Sequence, residues 1–346
     1  MEIDPGHSTA SRDDSAMSGI GYSEFVRYIC ALRQFVDRDL RGFDVVLEKN
    51  WLLSGYVSRL CQRRGQVGIP VENIIPNPSY AARGQIAKWL RLYVGRAIAG
   101  FHLRRAPLII AETNSLKRSI ERYWQVASER IAVVDLGVDR AVFHPIEQSA
   151  ARRRLGQETD KTLLVYVGVL DQTHNLAPAI QALGDCAGES IELHVVGDGP
   201  RRREYEAMAA AGAAIVFHGR VPHEEVPWHI AAADLCIAPY DAMAFPSGEL
   251  GYATMKIPEY MSVGRPVVSV PSGRIADLVC DGTTGFLFEN ERDRWRRFLA
   301  RLPSRDSLAA MGTAAAAVKL MSWEDTAAAY LSLCENALAA RDRVGR

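Results

Sequence analysis

The 346-residue sequence carries no net charge, no dinucleotide-type glycine fingerprint and no long apolar run, and each absence removes a class of function. With 41 basic against 41 acidic side chains, it lacks the basic excess of a nucleic-acid binder. No apolar stretch approaches the roughly 20 residues that a membrane span needs. The opening MEIDPGHSTASRDDSAMSG is polar and acidic, unlike the basic start and apolar centre of a signal peptide. Cys30, Cys61, Cys186, Cys236, Cys280 and Cys334 are scattered, with no CxxC and no metal-ligand spacing, and read as reduced thiols of a cytosolic protein. GxGxxG is absent: Gly197, Asp198 and Gly199 run into Pro200, and Gly19 and Gly21 follow no strand, which disfavours an NAD-dependent oxidoreductase. No fixed-period repeat, low-complexity tract or His/Cys/carboxylate cluster is present, so neither a resident metal nor a cofactor is expected.

What remains is an ordinary globular composition, 48% apolar and 24% charged, at a length that suggests two domains. Short β-branched runs alternate with helical sequence. In the first half they fall at Phe43–Glu48, Ile69–Asn73, Pro107–Glu112 and Ile131–Leu136. In the second half they fall at Leu163–Gly168, Ile191–Gly197, Ile215–Gly219, Leu235–Pro239, Pro266–Val270 and Gly285–Phe288. Being apolar on both faces, they read as buried parallel strands, and the amphipathic stretches between them, such as Glu24–Leu40, as covering helices. The predicted fold class is α/β, with two Rossmann-like doubly wound parallel-sheet domains facing across a cleft. The expected domains are 1–145, 146–325 and a C-terminal helix, 326–346, packing back on the first. With four strands against six, and none before residue 43, the N-terminal domain reads as shortened, its first strand units missing and activity at risk while donor binding survives. The zero charge is itself a sum, +4 over residues 1–150 and −4 over the remainder.

Open α/β sheets bind ligands beyond the carboxyl ends of their strands. Three strands of the first half end on or beside glutamate: Glu48, Glu72 and Glu112. A buried carboxylate is costly to desolvate, so each needs a partner or a purpose; helix capping is the ordinary explanation and general base catalysis the functional one. In the second half Gly168 and Gly197 end strands, and Phe245–Val268 runs from a glycine-bearing loop with Gly248 and Gly251 into a helix, with Lys256 near its start. A lysine at a glycine-rich loop and helix start suits a phosphate or diphosphate, and Glu259, a turn further on, suits a ribose diol. Arg152–Arg154 and Arg201–Arg203 read as solvated helix starts, Asp37 and Asp39 as a polar helix face, and His218 and His223 as flanks of a turn.

Taken in order, ERIAVVDLGVDRAVFHP, LLVYVGVLD, IELHVVGDGP, IVFHGRVPHEEVPWHIAAADLCIAPY, MKIPEYMSVGRPVV, DGTTGFLFEN and WEDTAAAYLSL resemble the nucleotide-sugar domain of GT-B glycosyltransferases. The likeness is to the family-4-like group built on a K-x-x-E-Y-M segment, and it covers roughly residues 105–335. Earlier residues resemble that family only through FDVVLEKNWLLSGY. The resemblance implies a nucleotide-diphosphate sugar held by the second half and an acceptor facing the first. Carried over by position, Glu259 binds the ribose, Lys256 lies beside the diphosphate, Val221 lines the base, and Gly168 starts the loop under the phosphates. His174, Asn175, Gly197, Gly251 and Met255 complete the implied donor set. Where the family has an arginine and a lysine after that glycine, this sequence has Val169 and His174. The family's first glutamate would fall at Gly251, and Glu249 is the nearest, which leaves retention or inversion open.

The expected activity is a metal-independent transferase moving sugar to an acceptor hydroxyl of a glycan, a lipid-linked molecule or a small glycoside. Lys256, the helix start at Ile257 and loop amides would stabilise the departing diphosphate. For an inverting enzyme Glu72 is the favoured base, its strand being followed by a loop with Asn73 and Asn77. Between Glu72 and Glu112 there is no acid but six basic residues, Arg83, Lys88, Arg91, Arg96, Arg104 and Arg105. Lys88, Arg91 and Arg96 oppose Ile86, Leu90, Tyr93 and Phe101 on a helical wheel. That pattern fits peripheral contact of residues 83–105 with anionic lipid at the inner membrane face, and equally a sheet-packing helix with a solvated basic face. The competing reading is a catalytically inactive nucleotide-sugar-binding partner or truncated transferase.

Overall fold

A computed structural model describes residues 22–49, 53–73, 86–157, 159–185, 190–210, 212–241 and 250–344. By its internal contacts the chain forms two compact units. One comprises residues 1–112, 116–134 and 329–346, the other 113–115 and 135–328.

The first unit holds a four-stranded parallel sheet in the order β1-β2-β3-β4: β1 Val45–Glu48, β2 Val67–Glu72, β3 Ile109–Ala111 and β4 Ile131–Val133. Leu47 stands beside Ile69, and Glu72 beside Ala111. Among the described residues this sheet follows chain order without a reversal. Helices α1 (Tyr22–Arg38), α2 (Tyr56–Gln62), α3 (Ile86–Leu103) and α4 (Asn114–Trp124) accompany it. Ile109, Ala111 and Ile131 pack with Leu103, Leu116, Ile120 and Trp124 in one core, while Leu32, Val36, Leu53, Val57 and Cys61 form another.

The second unit holds six parallel strands in the order β10-β9-β8-β5-β6-β7. They are β5 Thr162–Val167, β6 Ile191–Val196, β7 Ile215–Gly219, β8 Leu235–Ala238, β9 Val267–Ser269 and β10 Gly285–Leu287. The order reverses between β5 and β8, the switch point at which doubly wound sheets open a crevice. Leu164, Tyr166, Leu193, Val195, Ile237, Val268 and Trp295 fill its core. Helix α5 (Gln148–Leu155) leads into the sheet; α6 (Ala177–Asp185), α7 (Arg202–Ala209), α8 (Val226–Ala232) and α9 (Lys256–Ser262) follow β5, β6, β7 and β8.

Helix α9 shows how local sequence sets the site. Pro258 stands in the first turn, where a missing N–H breaks no intrahelical bond. Ile257, Tyr260 and Met261 bury one face, and Gly264, at φ +81°, ends the helix in the left-handed region. After α10 (Arg274–Leu278), α11 (Arg292–Leu299) and α12 (Arg305–Ala316), helix α13 (Trp323–Val344) ends the chain, residues 323–328 in the second unit and 329–344 in the first. Within the first unit Arg341 donates to the Gly65 carbonyl at 3.1 Å.

Candidate functional site

At the switch point two glycines let chain ends approach more closely than any side chain would permit. Gly197 follows β6 at φ +132°, and a Cβ there would lie 1.9 Å from the Gly168 carbonyl oxygen. Gly168 follows β5 at φ +147°, and its missing Cβ leaves room for the ammonium of Lys256.

Lys256, the first residue of α9, is half-buried in an aromatic frame. Its Nζ donates to the Tyr166 hydroxyl at 3.2 Å and lies 4.5 Å from that ring's centroid and 5.4 Å from the centroid of Tyr240. Burial brings its pKa down to about 7, against the partial support of the Asp171 and Glu259 charges. The frame is itself bonded. Tyr166 donates to the Val169 carbonyl at 2.7 Å, Tyr240 shares a hydrogen bond with Thr254, and Tyr260 bridges the end of β5 by accepting from the Val167 N–H at 2.7 Å. Glu259, one turn along α9, is half-buried; desolvation raises its carboxyl, and His223 and Lys256 oppose that rise.

In the loop after β5, one Asp171 carboxylate oxygen accepts both the main-chain N–H of His174 and its Nδ1, each at 2.9 Å. The His174 ring packs on Tyr240 with centroids 5.1 Å apart, so His174 and Lys256 share one aromatic neighbour. Asn175 is turned to holding the fold: its side-chain oxygen accepts from Arg201 at 3.2 Å and from the Ala177 N–H at 3.3 Å, and its carbonyl accepts from Asn290 at 2.8 Å. Val221 is half-buried just past Gly219, two residues before the His223 whose charge acts on Glu259. Met255 is exposed. At Gly251 a Cβ would meet nothing within 4 Å, and its carbonyl accepts from Thr113 at 3.2 Å, so no close approach demands glycine there. Gly248, Glu249, Asn77, Arg83 and Cys186 lie outside the described residues.

The three strand-end glutamates of the first unit have distinct partners. Glu48 accepts the N–H groups of Val57 at 3.2 Å and Ser58 at 2.7 Å, capping α2, whose N-cap Gly55 has no side chain to do so. Glu112 is paired with Lys49 at 2.6 Å. Glu72 is 2% exposed and accepts from the Ser54 hydroxyl at 3.1 Å, while its other oxygen has no partner among the described residues. Burial, reinforced by the Glu48 charge, pushes Glu72 up to about 8, so it is a neutral acid at neutral pH, a donor rather than an acceptor of protons.

Some readings of isolated charges change. Arg152 is not solvated and not at a helix start: in the last turn of α5 it binds buried Asp234 at 2.8 Å. Arg201 spans Glu204 and Asn175 instead of facing water alone. Asp37 pairs with Arg64, and Asp39 with Arg38. His218 is more than a turn flank, because with His194 and His229 it forms a cluster no sequence spacing announces. The frame residues Tyr166, Tyr240 and Tyr260 were also unmarked, although a tyrosine inside LLVYV signals a hydroxyl that must find a partner.

Comparison with known proteins gives a consistent neighbourhood. Residues 161–302 match the family model described as glycosyl transferases group 1. A D-inositol 3-phosphate glycosyltransferase of Geodermatophilus obscurus is 27% identical over 99% of this chain and 79% of its own length. That of Acidothermus cellulolyticus is 26% identical at the same coverage. Sucrose-phosphate synthase from Thermosynechococcus elongatus superposes with a TM-score of 0.71 at 19% identity, covering 92% of this chain and 79% of that one. Anabaena HepE in complex with UDP does so at 0.70 and 17%, covering 90% and 82%. The two-sheet α/β fold is therefore shared with GT-B structures.

Proposed function

We propose that the chain is a glycosyltransferase of the group 1 kind, its second unit holding a nucleotide-diphosphate sugar whose sugar passes to an acceptor hydroxyl. The observation that carries this reading is the Lys256 ammonium, seated against Gly168 between Tyr166 and Tyr240 where β5 and β8 diverge. A ligand phosphate there would meet a cation already stripped of much of its water, which Gly168 admits to the end of β5. Glu259, half-buried one turn along α9, would take hydrogen bonds from a ribose diol. A fixed ammonium meets the charge of a departing diphosphate without a divalent ion, so turnover in EDTA should equal turnover without it. Titration calorimetry with UDP, GDP and ADP tests the site: one of them binds to the wild-type protein, and Lys256→Ala weakens it. If none binds, the reading falls.

A second element belongs to the same proposal, peripheral contact with an anionic membrane carrying a lipid-linked acceptor. Along α3, Ile86, Trp89, Leu90, Tyr93, Val94 and Phe101 are all exposed, and Trp89 stacks on Tyr93 at 5.4 Å. Tyr93, Val94 and Phe101 line a cavity of about 310 Å³ with Ala97, Ile98 and His102. The stretch from residue 73 to 111 is basic and free of acid, the complement of anionic headgroups. Among the described residues no helix is long and apolar enough to cross a membrane, so contact would be interfacial. Co-sedimentation with phosphatidylglycerol vesicles, lost on neutral vesicles and in Trp89→Glu, is the expected result; indifference to lipid charge sinks it.

A further inference from the structure

The loop after β5 holds a second group with the chemistry of a phosphate ligand, but only in one protonation state. Asp171 is acceptor-only as a carboxylate, so the Nδ1 that faces it at 2.9 Å carries the hydrogen of a neutral His174 ring. Nε2 is then a bare lone pair, and a lone pair cannot accept anything from a phosphate oxygen, itself an acceptor. The ring is not free to exchange its nitrogens. The same Asp171 oxygen also holds the His174 main-chain N–H, Tyr205 donates to the His174 carbonyl at 3.2 Å, and the Asp241 N–H holds the Thr173 carbonyl at 2.9 Å. Lys256, meanwhile, sits over the same Tyr240 ring that His174 packs against.

We propose that the Asp171–His174 pair is a proton-gated diphosphate ligand: His174 takes up a proton on Nε2 as the donor docks and gives it back when the nucleotide leaves. This rests on the second unit being the donor site. The uptake is a binding-linked protonation; no covalent bond forms or breaks, and solvent supplies and receives the proton. Before binding, burial and the Lys256 charge hold the ring below its ordinary value against the opposing pull of Asp171, so it starts neutral. The incoming phosphate reverses the balance by adding a second anion to Asp171 and offsetting the charge of Lys256. Of the other groups nearby, Tyr240 at the end of β8 packs on the ring, Tyr205 holds the His174 carbonyl, Arg201 holds the neighbouring Asn175, Asp241 holds Thr173 through its main chain, and Glu259 acts on Lys256. None supplies a competing carboxylate contact to Nε2 among the hydrogen bonds of the described residues.

The test is site-resolved. With histidine ring nitrogens labelled, His174 should show the neutral Nδ1–H tautomer in the free protein at about pH 8 and the imidazolium once UDP saturates it. Calorimetry in PIPES and Tris buffers should show proton uptake on UDP binding that falls in His174→Gln. His174→Gln should weaken UDP by about tenfold at mildly acidic pH and much less at alkaline pH. His174→Lys should restore the affinity with a flatter pH dependence. If UDP binds the wild-type protein with the His174 ring still neutral, the gating is refuted and the donor site stands. If no nucleoside diphosphate binds at all, the donor-site reading is refuted and the gating with it.

Discussion

A Cβ on Gly168 would lie 2.6 Å from the Nζ of Lys256, so a glycine that follows β5 and a lysine that opens α9 share one space. Gly168→Ala therefore collides with the far end of a flexible side chain, at a φ of +147° that already disfavours alanine. The expected outcome is a folded protein with a displaced ammonium, UDP affinity reduced by about tenfold or more and a melting temperature only a few degrees lower. Gly197→Ala is the contrast, since its Cβ would sit 1.9 Å from a backbone oxygen that cannot move aside. That variant should lose about 3 kcal/mol of stability or more. Thermal melts and UDP titrations of the two variants separate the effects.

Lys256 itself sets activity against stability. Its pKa, lowered from 10.5 to about 7, means that the unfolded chain binds the proton more tightly than the folded one. The lysine therefore costs the empty protein stability that grows as pH falls from 10.5 toward 7. Lys256→Met should raise stability near neutral pH by about a few kcal/mol, read as a higher melting temperature, while UDP affinity falls about tenfold to a hundredfold. A variant that lost stability and kept UDP would contradict both halves.

Glu72 carries the opposite sign. A carboxyl raised from 4.5 to about 8 contributes its full stability below pH 4.5 and loses it as pH rises through 8. Glutamine reproduces the neutral form, so Glu72→Gln should match the wild type in acid and exceed it in alkaline melts. Turnover near pH 7 should stay within about twofold, because a neutral acid is not working as a base there. A collapse of turnover in Glu72→Gln, with the melt unchanged, would make Glu72 the base.

How far the sequence could be read follows from which forces act locally. All ten described strands coincide with apolar runs, but only the inner ones are buried on both faces: the edge strands β1, β4 and β7 leave Leu47, Val133 and Val216 exposed. The strand ends do not coincide: the run at Phe43 begins two residues before β1, and Phe43 is 58% exposed, because ladder pairing and not hydropathy decides where a strand starts. Arg152 looked solvated because charge alone cannot reveal Asp234, 82 residues away in sequence. Nothing in the sequence marks Tyr166 and Tyr240, because only the fold brings to their rings the cation they cradle. The helix-cap alternative for Glu48 was open from sequence; Gly55, without a side chain, makes it necessary.

The histidine cluster gives the last test, and it lies apart from the phosphate-facing frame. His194 on β6 bonds Glu192 at 2.8 Å and meets His218 of β7 at 3.0 Å, and the His218 ring stands 4.9 Å from that of His229 on α8. His194 and His229 are buried, and the Nδ1 of His229 has no hydrogen-bond partner among the described residues. Burial first, then the two neighbouring imidazoles, lowers His229 from 6.5 to about 4. A histidine held neutral by folding contributes stability that is complete above pH 6.5 and lost as pH falls toward 4. The full loss is about 3 kcal/mol for a shift of this size, at the upper end because protonation of one ring opposes protonation of the others. His229→Phe keeps a planar ring in the site and removes the titration, so its acid unfolding limb should be flatter than the wild type's over that window. UDP affinity at neutral pH should not change, since His229 touches neither Lys256 nor His174 in any described contact. Parallel acid limbs in the two proteins would mean that the cluster is protonated without cost, and the burial argument for it would fail.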